Sequence, residues 1–118
     1  MRYGRIYALP EQRLLLNRVM RATTTLERMR GLLSRPPLGR DEGMLLVPCS
    51  SVHTFGMRHP IDLIFLTGAW RIRRVVPSLK PLRMAWSLGA AMVLELASGA
   101  AAALGLAPGQ ELQWRESE

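Results

Sequence analysis

The alternation of apolar and polar positions along this chain predicts many short strands and little helix. Met44 to Val47, Ser51 to Phe55, Ile61 to Leu66 and Arg71 to Val76 are short apolar or alternating runs. Each is bounded by a residue that interrupts a strand: Pro48, Gly56, Pro60, the pair Thr67-Gly68, and Pro77. Thr67-Gly68 reads as a hairpin turn. Further strands are predicted at Arg13 to Arg21, where Leu14-Leu15-Leu16 and Val19-Met20 carry the apolar positions, and at Met84 to Trp86, Met92 to Ala97 and Glu111 to Trp114. No element is predicted for Met1 to Pro10.

Helix is confined to two places. Thr24 with Glu27 three residues on forms a capping box, and Leu26, Met29, Leu32 and Leu33 follow at helical spacing, which predicts a helix over Thr25 to Leu33. Ser34-Arg35-Pro36-Pro37-Leu38-Gly39 then stops it, because proline lacks the backbone donor and its ring clashes with the preceding turn. Ser98 to Leu104, closed by Gly105, reads as one short alanine-rich helical turn. The expected fold is therefore mainly β: a compact jelly-roll-like barrel or sandwich of short strands with one or two short helices. Residues 1–118 form a single domain with no internal repeat or linker.

Composition narrows the class. At 118 residues, 48% hydrophobic and 21% charged, the chain has enough apolar material for a core. Cys49 is the single cysteine, so an internal disulfide and a thiolate-rich zinc site are excluded. No apolar run has signal-peptide or membrane-spanning length, since Glu11 and Glu95 interrupt the two best stretches. The reading is a cytoplasmic protein with no membrane insertion. The net charge is +7, and fifteen of the sixteen cationic side chains are arginine, with Lys80 the one lysine. Arginine forks match phosphate, yet only Arg71, Arg73 and Arg74 cluster closely and only Trp70 adjoins them, which disfavours a nucleic-acid partner.

Candidate chemistry concentrates between Cys49 and Asp62. That segment holds the only cysteine, both histidines and one of the two aspartates. On a regular strand Cys49, Ser51, His53 and Phe55 share a face, and Gly56 is placed to bulge the strand before Met57. Cys49, His53 and Met57, with Met44 or Met92 from a neighbouring strand, are a donor set suited to Cu(I). The plainer account is that methionines and a lone cysteine fill core gaps. Nucleophilic catalysis would take Cys49 as nucleophile, His53 as base and Asp62 or Glu95 to orient it. Cys49 and His53 stand four residues apart, roughly 13 Å along a strand, which argues against that pair.

Asp62 and Glu95 each interrupt an apolar strand, where an ionised carboxylate needs a partner. Facing one cavity, they would form an acid and base pair. Separately, each would cap backbone donors or pair with an arginine such as Arg30. No glycine spacing matches a phosphate-binding loop, and no Gly-x-Ser-x-Gly sequence is present.

Six ordered pieces carry a family resemblance: Glu27-Arg28-Met29-Arg30-Gly31-Leu32, Gly43-Met44-Leu45, His53-Thr54-Phe55-Gly56-Met57, Ile61-Asp62-Leu63-Ile64-Phe65, Leu94-Glu95-Leu96-Ala97-Ser98-Gly99 and Gly105-Leu106-Ala107-Pro108-Gly109. From Ala22 to Trp114 the chain resembles DUF192, a family of small prokaryotic proteins. The resemblance implies a mainly β, jelly-roll-like fold and no established biochemical activity. Many members resemble Phe-Trp-Met-Lys-Asn-Thr where this chain reads Phe55-Gly56-Met57-Arg58-His59-Pro60, so Gly56 stands where a tryptophan is common and a pocket here would be more open.

The functional expectation is a non-enzymatic module that binds a small ligand or protein partner, with a pocket built from Arg30, His53, Thr54, Met57, Asp62 and Glu95; Trp86 is added at its mouth. The alternatives are a copper-type metal protein and a small hydrolase using His53. No cofactor, metal set or catalytic group is assigned, and the question of enzymatic activity stays open.

Overall fold

The computed structural model describes residues 1–32 and 35–117, with the Arg30 side chain outside the description. Nine strands and two short helices follow one another as β1 (Arg2–Ala8), β2 (Arg13–Ala22), α1 (Thr25–Arg30), β3 (Glu42–Leu46), β4 (Ser51–His53), β5 (Ile61–Leu66), β6 (Ile72–Leu79), β7 (Met84–Trp86), β8 (Met92–Ala97), α2 (Ala100–Ala103) and β9 (Leu112–Glu116). The mainly β expectation holds. Strands β5, β7 and β8 coincide with their predicted runs, and the Thr67-Gly68 hairpin joins β5 to β6. β1 lies in the segment for which no element was predicted.

The capping box is present in full. Thr24 Oγ1 accepts from Glu27 N at 3.1 Å, and Glu27 Oε1 accepts from Thr24 N at 3.2 Å. The two bonds satisfy backbone donors that the first helical turn leaves free. α1 ends at Gly31, whose φ of 48° lies in the region that glycine enters without steric cost. Leu33, the last residue of the predicted helix, falls outside the described residues.

Seven strands form one mixed sheet in the order β6-β5-β8-β3-β2-β1-β9, while β4 and β7 pair as a separate two-stranded ribbon. Only β2 and β3 run parallel, joined by the crossover that contains α1. Of the two forms expected, barrel or sandwich, the sheet does not close into a barrel and the sandwich-like class fits. The edge strands β6 and β9 meet only at one corner, through an isolated Arg71–Glu111 bridge with hydrogen bonds from Ile72 N to Gln110 O and from Leu112 N to Trp70 O. Register explains the opening: the antiparallel bridge precedes both strands and sets Ile72 against Gln110 and Leu112 against Trp70, so β6 and β9 run away from each other instead of pairing along their lengths.

Alternate residues of the central strands feed two separate cores, as the period of two in a strand requires. Leu45, Ile64, Leu66, Leu94 and Leu96 pack with Ile6, Leu16, Val19, Ala100 and Ala101. Met44, Leu46, Ile61, Leu63, Phe65 and Val93 pack on the opposite face with Leu32, Val52 and Ala85. The second core is covered by the β4–β7 ribbon and the end of α1. That cover places the site.

Candidate functional site

Strand β4 alternates: Val52 is buried against the sheet, while Ser51 and His53 are exposed. Gly56 then turns the chain with a φ of 87°, and Met57 N donates to Thr54 O at 3.1 Å. The turn ends β4 at His53, earlier than Phe55, and brings Met57 back beside it. Gly56 therefore makes a tight turn and not a strand bulge.

A cavity of about 110 Å³ opens between α1 and β4. Arg28, Met29, Gly31 and Leu32 form its helical wall; Cys49, Ser51, Val52, His53 and Met57 form the opposite wall, and Leu46 and Glu95 come from the sheet. Of the six expected pocket residues, the cavity unites His53, Met57 and Glu95. Arg30 ends α1 next to the cavity wall, and the expected Arg30 pairing falls on a side chain outside the described residues.

Thr54 and Asp62 do not line this cavity. Thr54 is fully buried just past the end of β4, where its Oγ1 donates to Lys80 O at 2.6 Å and accepts from Arg83 N at 2.9 Å. It secures the turn into β7. Asp62, also fully buried, accepts from Ser78 N at 2.8 Å and from Ala101 N at 2.9 Å. Its carboxylate thus ties β5 to β6 and to the first turn of α2, where an anion is electrostatically favoured.

The two carboxylates cannot act as one acid and base pair. Asp62 is opposite Leu96 and Glu95 opposite Leu63 in the β5–β8 ladder, so the side chains leave opposite faces of the sheet. Met92 likewise belongs to the core away from the cavity. Trp86 is exposed on the ribbon, and the cavity walls do not include it.

Glu95 is the unusual group. It sits on β8 between Met44 and Leu63, with only 4% of its surface exposed, and its Oε1 meets no hydrogen-bond donor among the described residues. Burial pushes its carboxyl up to about 7, because desolvation penalises the charged form. A Cβ at Gly31 would stand 3.6 Å from Oε1, so the glycine leaves open space in front of the carboxyl. Arg28 Nη1 donates instead to Thr23 O at 2.6 Å.

The remaining walls are soft and largely apolar. Burial raises the Cys49 thiol, whose Sγ donates to Ser51 O at 3.1 Å. The His53 ring lies 5.2 Å from that of Phe55. Among the described residues no three of His, Cys, Asp and Glu are grouped closely enough to hold a metal ion. Sequence reasoning missed Arg28, Met29, Gly31, Leu32, Leu46, Ser51 and Val52. A signal existed for Ser51, which alternates with His53. Gly31 lies inside the predicted helix, which ends there instead, and it gave no sign of the gap before Glu95.

Comparison with known proteins gives kinship without an activity. The DUF192 family model, described as Uncharacterized ACR, matches residues 10–114. A protein of unknown function from Novosphingobium aromaticivorans is 26% identical, with a TM-score of 0.84 over 95% of this chain and 85% of its own. A protein called "putative transcription regulator" from Sinorhizobium meliloti has the same identity and TM-score, over 95% of this chain and 93% of its own. No curated protein matches.

Proposed function

We propose, from the premise that this chain belongs to the DUF192 family, that it is a non-enzymatic binding protein whose α1–β4 cavity takes a small ligand bearing a hydrogen-bond donor. The observation that carries this reading is Glu95. Its Oε1 is buried at an open cavity and lacks a donor among the described residues, an arrangement that a ligand N–H or O–H would complete. A cationic amine is the best match: it would favour the ionised carboxylate that burial disfavours, and Met29, Leu32, Leu46 and Met57 would cover its carbon atoms.

Methylammonium is a sufficient probe. Titration followed by carboxyl carbon NMR is expected to shift the Glu95 resonance and lower its pKa from about 7, with both effects lost in Glu95→Gln. Saturable binding that leaves the Glu95 resonance unmoved, or no binding at all, refutes the reading.

Copper(I) is the second candidate occupant, because Met29, Cys49, His53 and Met57 share the same walls. Native mass spectrometry after Cu(I) addition separates the two. One copper per chain, lost in Met57→Leu and retained in Glu95→Gln, supports the metal reading over the amine. The hydrolase reading gains no geometry: the His53 side chain makes no hydrogen bond among the described residues.

A further inference from the structure

The β4–β7 ribbon has a second face, directed away from the core. Phe55, Leu82, Met84, Trp86 and Leu88, five of the ten large apolar side chains exposed among the described residues, lie on the ribbon or its turns. Register places Ser51 opposite Trp86 and His53 opposite Met84, while Leu82 N donates to Thr54 O beside Phe55. Leu82 and Leu88 stand at the turns before and after β7, 67% and 83% exposed. Leu82, Met84, Trp86 and Leu88 recur at every second position of one short segment, and a concentration of exposed apolar side chains marks a contact site, unlike single scattered residues.

Its surroundings are cationic. From Cys49 to Leu94 the chain carries six cations, Arg58, Arg71, Arg73, Arg74, Lys80 and Arg83, against one carboxylate, Asp62, which is sealed in the fold. Arg74 Nη1 donates to Trp86 O, and the Arg73 guanidinium lies within contact distance of Gly89. Arg83 and Lys80 flank Leu82 at the other end of β7. No anion on this stretch neutralises the surface.

We infer that the outer face of the β4–β7 ribbon docks on an anionic lipid surface, with Leu82, Met84, Trp86 and Leu88 entering the headgroup and acyl boundary and Arg73, Arg74, Lys80 and Arg83 meeting lipid phosphates. Charge complementarity selects an anionic partner, and the side-chain types select lipid over nucleic acid. Leucine and methionine have no π face on which a base stacks, whereas aliphatic tips beside a tryptophan and arginines suit the membrane boundary. The contact is peripheral; among the described residues no helix is long and apolar enough to cross a membrane.

Vesicle flotation tests the inference on the full chain. The protein is expected to float with vesicles of phosphatidylglycerol and phosphatidylcholine in equal parts, to stay behind with phosphatidylcholine alone, and to release as salt rises. Leu82→Asn combined with Leu88→Ser, and separately Arg73→Gln combined with Arg74→Gln, are each expected to weaken binding roughly tenfold. All four positions are exposed, and asparagine tolerates the φ of 63° at Leu82, so an unchanged melting temperature certifies the variants. Trp86 emission is expected to shift to the blue on binding, with Trp86→Phe as control. Equal binding to both vesicle types, no binding, or binding unaffected in both double variants overturns the proposal. Retention of a poly(dT) oligonucleotide without any vesicle binding overturns it in favour of nucleic acid.

Discussion

A carboxyl at the floor of an apolar cavity makes stability depend on pH. Glu95 ionises near 4.5 in the unfolded chain and near 7 in the fold. Between those values the folded state holds more protons than the unfolded one, so stability falls as pH rises and levels off above about 7. The full span is about 3 kcal/mol. Urea denaturation at a series of pH values is expected to show this decline, and Glu95→Gln is expected to flatten it and to be more stable by about 1–3 kcal/mol above pH 7. A decline that persists unchanged in Glu95→Gln would assign it to other groups. In the sequence, Glu95 and Asp62 look alike, each a lone carboxylate in an apolar strand. Backbone donors from Ser78 and Ala101 answer Asp62 and none among the described residues answers Glu95, a difference that depends on what stands across the sheet.

At the scale of elements, strand ends are held by buried polar groups. Asp62 joins three elements with two hydrogen bonds, and removing its carboxylate leaves Ser78 N and Ala101 N without that acceptor. Asp62→Ala is expected to cost about 2–4 kcal/mol by chemical denaturation, and hydrogen exchange at Ala101 is expected to rise more than in the central strands. A loss below about 0.5 kcal/mol would mean that water replaces the carboxylate freely. Thr54 works similarly for the ribbon. Its place beside His53 suggested a shared pocket, but its hydroxyl is taken up by Lys80 O and Arg83 N at the turn into β7. The reverse holds for α1, whose capping box was readable because capping is a contact three residues long. β1 was not predicted although its burial alternates from Gly4 to Ala8: its inward positions are Gly4, Ile6 and Ala8, and two of the three carry too little apolar bulk to mark a strand.

For the whole molecule, the two cores share strands β3, β5 and β8, so neither core survives loss of the other's sheet. Thermal unfolding is expected to be one cooperative transition with equal calorimetric and van't Hoff enthalpies. Two resolved transitions would show that the ribbon and α1 come away separately. The ribbon serves both features: β4 walls the Glu95 cavity, while β7 and its turns carry the exposed apolar side chains.

Local chemistry determined what the sequence alone could determine: a mainly β chain, the positions of β5, β7 and β8, the capped start of α1, and membership in a family whose pieces recur in order. Each depends on residues near one another in the chain. Tertiary structure decided that the sheet stays open, that Asp62 is consumed by the fold, and that Glu95 meets His53, Met57 and Met29 across one cavity. Those outcomes depend on strand order and on which face each side chain leaves. A helix from the β2–β3 crossover and a ribbon from the middle of the chain must both fold over β8 before the cavity at Glu95 exists.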